Sequence, residues 1–378
     1  MKNILRKSIE LHYTLSVLRN GKVIKTLPKS RNLILDSGLN NHATVDLPGL
    51  FNAMLLGATP SPTPVRRDSG AVTLSQSGTT ITASGNFFQT TDTGRLLKYN
   101  DVPGTEVYLT YVSATQAIAS LTASVSSING TIWYVNETAL DDATPVTTNT
   151  RNGGAALNGT SWSGAVQTLK RTLVTSPVGA PVTFTEIGFN TNGANTNIFD
   201  RDIITGGVSL LTGDQARCTV EVITTYSPTT PLAQGNVATG FDSSGNIQLE
   251  GGLFPFIDSN GDGVAGILSV NGFIFGAISD TFSLQPFDST SSGILRNGDN
   301  LSIVGSGYTA GSFKRDYSGM LAISQANTTI TALAWGSGNG PHQTYCALTQ
   351  KLTTPFTKTS VQTLAATLTF SWGRTLIN

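Results

Sequence analysis

The chain has 378 residues, of which 39% are hydrophobic and only 12% charged. That length allows two or three domains with cores of their own, and the composition excludes both a disordered polyampholyte and a membrane protein. Its 23 Lys and Arg balance 23 Asp and Glu, so no net field draws in a phosphate backbone or an anionic bilayer; nucleic-acid binding and membrane insertion are not expected.

Soluble domains usually devote about a quarter of their residues to charge, so half of the ordinary ionic surface is missing. Ser, Thr, Asn and Gly take its place. Neutral hydroxyls and amides can be covered by a neighbour without desolvating ions, which suits a crowded, permanent assembly. The basic start, Met1 to Lys7, is interrupted by Glu10 and His12 before any apolar segment, so it does not read as an export signal. No apolar run approaches the roughly 20 residues that span a bilayer. These absences fit a protein folded in a cytoplasm and then assembled. Cys218 and Cys346 are too few and too distant for a disulfide framework or a zinc site, and read as two buried thiols.

Residues 11 to 27 alternate apolar and polar side chains around Asn20-Gly21, whose tolerance of positive φ makes this the strongest hairpin signal in the chain. Asn32 to Leu39 reads as a short apolar strand ending in a turn. Val45 to Leu56, with Leu47, Leu50, Phe51, Met54 and Leu55, has near-helical spacing and is the one expected helix. Residues 58 to 70 contain Pro60, Pro62 and Pro64 and are expected to cross the fold outside any ladder. Between 71 and 135, short apolar runs at Val72, Thr79, Leu96, Val107, Ala117 and Ile132 are punctuated by Gly78, Gly94, Gly104 and Asn129-Gly130. They predict a small β-module.

Two later stretches resemble each other. Arg151-Asn-Gly153, Lys170-Arg171, Thr183 to Phe189 and Thr219 to Val222 are followed, at offsets of about 144 to 148 residues, by Arg296-Asn-Gly298, Lys314-Arg315, Thr329 to Trp335 and Thr367 to Phe370. The common order reads as an internal duplication. It predicts an all-β chain of tandem β-sandwich-like domains with a small inserted β-module and one short helix. The first domain is 1–230, with the module at about 71–135; the second is 231–378, a duplicate of 150–225.

Signals for chemistry are sparse. His12, His42 and His342 are scattered, and neither a nucleophile elbow nor a paired-histidine helix is present. Asp258-Ser-Asn-Gly-Asp-Gly263 places Asp258, Asn260 and Asp262 at alternate positions before a glycine, the pattern that wraps a Ca²⁺ ion in oxygens. Ser269 stands where a closing bidentate Glu would be needed, so a tight hairpin turn is the preferred reading and a Ca²⁺ loop the other. Paired acids for glycoside hydrolysis are suggested by proximity alone at Asp200 with Asp202, Asp141 with Asp142, and Glu186. Solvated turns and caps are the commoner role for such residues. Tyr108, Tyr111, Trp133, Tyr134, Trp162, Trp335 and Trp372 fall inside strand patterns and are expected in cores.

Several segments resemble virion structural proteins of tailed bacteriophages: Asn32 to Leu39, Phe184-Thr-Glu-Ile-Gly-Phe189, Arg201-Asp-Ile-Ile204 with Gly213-Asp-Gln215, and the module segment with Phe87-Phe88 and Asp92-Thr-Gly-Arg95. The resemblance covers roughly the first 230 residues. It implies a tail, fibre, collar or appendage component and transfers no catalytic residues. The expectation is therefore a non-enzymatic virion protein without a cofactor, folded in the host cytoplasm, forming homo-oligomers and contacting other virion proteins. A host surface glycan or receptor is a further expected contact. The alternative is a glycan-binding protein or depolymerase of tail-fibre type.

Overall fold

In a computed structural model, the described residues are 2–43, 47–100, 102, 106–148, 159–163, 166–228, 273–278, 301–303, 307–324, 329–338 and 344–376. The fold is all-β, as expected, and is organised around one strand. β1 (Lys2–Arg19) runs 18 residues, far beyond the alternating segment visible in the sequence. Ile9, Leu11, Tyr13, Leu15 and Val17 all turn to one face and are buried there, the period-two signature of a half-buried strand.

One edge of β1 is paired along most of its length by antiparallel β16 (Gln215–Pro228). Three strands share the other edge. β2 (Lys22–Thr26) closes the expected hairpin, β3 (Ser30–Ile34) pairs at Leu11 to Tyr13, and β22 (Leu364–Arg374) lies parallel along Lys2 to Ile9. Asn20 and Gly21 have φ of 52° and 75°, the two positive angles a tight hairpin of this hand requires. Beyond β16 come β13 (Val166–Val174) and β12 (Gly159–Ser163); beyond β22 comes β19 (Lys314–Leu321).

The second layer contains β11 (Val146–Thr147), β4 (Ala53–Gly57), β14 (Val182–Asn190) and β15 (Asp200–Leu210), and then β3, which also pairs with β1. β3 is thus the join between the two layers. Their facing side chains form the main core, which includes Leu11, Leu15, Phe51, Phe184, Ile187, Phe189, Val220 and Phe370.

Of the helix expected over 45–56, the described residues keep only the single turn α2 (Leu47–Leu50); Ala53–Gly57 is the fully buried strand β4, and a helix not expected, α1 (Asp36–Asn41), precedes them. A short apolar run covered on both faces has no period to distinguish strand from helix. The strand expected to continue from Asn32 to Leu39 ends at Ile34 and gives way to α1.

Gly38 of α1 lies against Phe199, and a Cβ there would stand 2.2 Å from the Phe199 carbonyl oxygen. Gly38→Ala improves helix propensity by at most about 1 kcal/mol. The contact is with backbone and cannot be relieved by a rotamer, so overpacking wins. The variant is expected to lose about 1–3 kcal/mol, read as a lowered midpoint in urea unfolding.

A six-stranded sheet takes up the segment predicted as a module. Its order is β5 (Arg66–Asp68), β10 (Gly130–Trp133), β7 (Leu96–Tyr99), β8 (Val107–Ser113), β9 (Gln116–Ile128) and β6 (Leu74–Ala83). Leu74, Ile81, Leu97, Tyr99, Leu109 and Ile132 lie in its separate core. Fully buried Asp92 is clamped by Arg67 at 2.5 Å and Arg95 at 3.3 Å, and Arg95 stacks 3.4 Å over the Tyr134 ring. Arg66–Asp68, expected outside any ladder, forms a short rung on β10.

The last strands are β17 (Phe273–Ile278), β18 (Leu301–Ile303), β20 (Thr329–Gly338) and β21 (Thr344–Thr357), in the order β18-β17-β20-β21. β19 and β22 do not join them; they extend the sheet of β1 across the expected domain boundary at 230. Lys170-Arg171 and Lys314-Arg315 play matching parts. Each pair sits on a strand antiparallel to the alternating strand that ends its stretch, with the Arg buried and the Lys exposed. Arg171 packs over Phe51 at 5.1 Å and Arg315 over Tyr308 at 5.8 Å. The pairings differ in register, Lys170 opposite Glu221 and Lys314 opposite Ser371, and β14 and β20 belong to different sheets.

Candidate functional site

The acids singled out by proximity in the sequence converge on β14 and β15. They divide between the two faces of β15. Arg201 and Glu186 point away from the main core and are both fully buried, 3.0 Å apart. Arg201 also reaches Asp141 at 2.7 Å, and Glu186 accepts the backbone N–H groups of Asp141 and Asp142 at 3.2 and 2.9 Å. Room for this cluster comes from Gly57, where a Cβ would lie 2.4 Å from the Glu186 carboxylate. Partial burial alone would raise the Asp141 carboxyl, but the Thr63 backbone amide and Arg201 outweigh it and hold it below its ordinary value.

Asp200 and Asp202 alternate onto the opposite face and are both buried there. Asp200 is fully buried and accepts from Asn32 Nδ2 at 2.6 Å. Asp202 accepts from Tyr13 Oη at 3.0 Å and Ser30 Oγ at 2.7 Å. Burial raises both carboxyls above the ordinary range. It also raises the Tyr13 phenol and the Cys218 thiol, which keeps both in their neutral, donor-competent forms.

Asp202 also lines a cavity of ≈ 490 Å³, a volume within the range of small-molecule sites. Its walls come from β3, β15, Trp133 of β10, the segment with Pro62 and Pro64, and Thr375-Leu376 after β22. Arg66 lies over the Trp133 ring at 5.4 Å. Arg31 is held by Glu10 at 3.5 Å and donates to the Thr375 carbonyl at 2.5 Å. The tail is fixed from the module side as well, since Lys98 Nζ donates to the Leu376 carbonyl at 2.8 Å. Asp36 receives both Tyr108 Oη, at 2.9 Å, and Arg374.

Chemically, this arrangement offers a single carboxyl at the cavity rather than a converging pair. Asp200 is enclosed, Glu186 and Asp141 are occupied by Arg201 across the strand, and Asp202 already accepts two hydrogen bonds. His12 meets Glu10 at 3.3 Å, and His42 is buried beside Lys7 at 3.1 Å, so these two serve different places. Trp133, Tyr134 and Trp372 are buried as expected for core aromatics, and Cys218 is a buried free thiol. Asp258, Asn260 and Asp262, with His342, lie outside the described residues. Among the described residues, no group of three or more His, Cys, Asp or Glu side chains could hold a metal ion, and no helix is long and apolar enough to cross a membrane.

Sequence reasoning named the acids but missed Arg201 as their centre and Asn32 as the partner of Asp200. The only available signal was the alternation Asp200-Arg201-Asp202, which on a strand must send the cation and the acids to opposite faces. No family model matches the chain, and no curated protein or solved structure is detectably similar to it.

Proposed function

We propose that this chain is a non-enzymatic structural component of a tailed-bacteriophage virion, of tail, fibre, collar or appendage type. It folds in the host cytoplasm and assembles through its β faces with copies of itself and with other virion proteins. The observation that supports this reading is the outer surface of the sheets, where hydroxyls meet across strands. Ser318 faces Thr367 at 3.0 Å, and Thr183 faces Ser209 at 2.8 Å. Thr172 and Thr219 form a further pair at 3.4 Å.

Threonine keeps its β preference while presenting a neutral polar group, so such a face stays wet in the free chain and is desolvated cheaply by a partner. Exposed Val23 and Ile24 on β2, an edge strand, add apolar contact area where another subunit's surface can bury it. The resemblance of the first 230 residues to phage virion proteins supplies the setting.

The cavity beside Trp133, Arg66 and Asp202 favours the second reading, a host-glycan binder or depolymerase of fibre type. Native mass spectrometry of the purified full chain, run beside a capsular-polysaccharide cleavage assay, separates the two. A homo-oligomer without cleavage is expected. A strict monomer that shortens the polysaccharide would overturn the structural reading.

A further inference from the structure

Asn32 and Asp200 are buried side by side in the join between the two layers. One hydrogen bond links them, from Asn32 Nδ2 to Asp200 Oδ1 at 2.6 Å. Their other polar atoms, Asn32 Oδ1 and Asp200 Oδ2, are buried and have no hydrogen-bond partner among the described residues. An ionised carboxylate and an amide oxygen are both acceptors, so neither can satisfy the other, and leaving two acceptors orphaned costs about 1–3 kcal/mol each. A single proton on Oδ2 removes both defects. We propose that Asp200 is carried as a neutral carboxylic acid whose Oδ2–H donates to Asn32 Oδ1, closing a two-hydrogen-bond ring that stitches β3 to β15 and opens when the proton leaves.

Burial and the neighbouring acid favour the neutral form. On β15, Asp202 occupies the next position on the same face; on β3, Asn32 and Ser30 are neutral; β1 contributes the Tyr13 phenol and β16 the Cys218 thiol. β14 contributes Ile187, Phe189 and the Phe189 backbone amide. The neighbouring cations, Arg31 and Arg201, are each one residue out of phase on their strands. They are occupied by Glu10 and by Glu186 with Asp141. Burial lifts the Asp200 carboxyl well above the usual range; Asn32 opposes this, Asp202 adds to it, and the Phe189 amide opposes it. A charge at Asp200 would therefore face a second acid and an amide oxygen with no counter-ion.

The stitch matters because the β3–β15 ladder is short. Only Asp200 opposite Ile34 and Arg201 opposite Leu33 are paired, and among the described strands β3 alone is paired with both layers. A carboxyl whose folded-state value is raised contributes stability that is fully present below the unfolded value of about 4. That stability is lost as pH rises through the folded value. The ring is thus a seam that alkali loosens.

The test uses the full chain labelled with ¹³C at the Asp side-chain carboxyl carbon, in wild type, Asp202→Asn and Asp200→Asn. A protonated carboxyl signal above pH 5 that persists in Asp202→Asn and vanishes in Asp200→Asn is expected. Asparagine at 200 can form the same two hydrogen bonds without a titrating proton. Its urea midpoint should therefore fall less steeply than the wild type's as pH rises from about 5 to about 8. A fully ionised Asp200 at pH 5 in the wild type overturns the proposal whether or not the variants fold. An Asp200→Asn slope equal to that of the wild type overturns it as well.

Discussion

Arg201→Met is expected to destabilise the chain by about 3–5 kcal/mol, the range for breaking a buried ion pair from one side. Methionine nearly fills the space but leaves Glu186, fully buried, without its cation. Asp141 loses the same partner, and with it part of the anchoring of the segment through Thr63, whose backbone N–H it accepts. The double variant Arg201→Met, Glu186→Gln should recover part of the loss, because glutamine carries no charge and keeps one oxygen for one of the two amides, of Asp141 and Asp142, that the two Glu186 oxygens accept. Urea unfolding of the wild type, Arg201→Met, Glu186→Gln and the double variant measures the coupling directly. If the single variant lost less than about 1 kcal/mol, the cluster would be a surface ion pair in energetic terms.

The second large effect is expected at Phe370. Its side chain is fully buried in the main core, with its ring 6.2 Å from that of Trp372, and its strand lies beside β1. Phe370→Ala should cost about 3–5 kcal/mol, as large-to-small aromatic substitutions in well-packed cores do. The informative readout is where that loss is felt. Since β22 shares a sheet with β1, fluorescence and circular dichroism should shift together, and hydrogen exchange should accelerate in β1 and β16 as well as in β22. Exchange faster in β22 alone would show that the strand is an appendage rather than an integral part of the sheet built on β1.

What the residues themselves announced follows the physics of short range. Asn20-Gly21 marked its hairpin because both residues must accept positive φ, and Leu11 to Val17 marked a half-buried strand through simple alternation. Most module strands were legible for the same reason. β4 was not, since Ala53 to Gly57 is covered on both faces and shows no period. The first residues of β1 were hidden by Lys2, Arg6 and Lys7, which give the chain a basic start without the alternation of a strand. Lys7 is in fact buried beside His42, in a strand whose neighbours come from the far side of the chain.

The acids were visible as residues, but their roles depend on partners 60 and 168 positions away for Arg201–Asp141 and Asn32–Asp200. No local pattern encodes such distances. The parallel placement of β22 on β1 was equally invisible, because register between remote strands is chosen by shared core and not by spacing.

That placement bears on how the molecule is made. On the edge turned away from β16, residues 2–9 pair with residues 367–374, so the ribosome must add most of the polypeptide before that edge can be capped. At 5–20 residues per second the wait is roughly 20–70 s, long enough for an open strand edge to recruit the wrong neighbour. Overexpression at reduced temperature or with a holdase chaperone is therefore the condition under which a soluble product should be sought first.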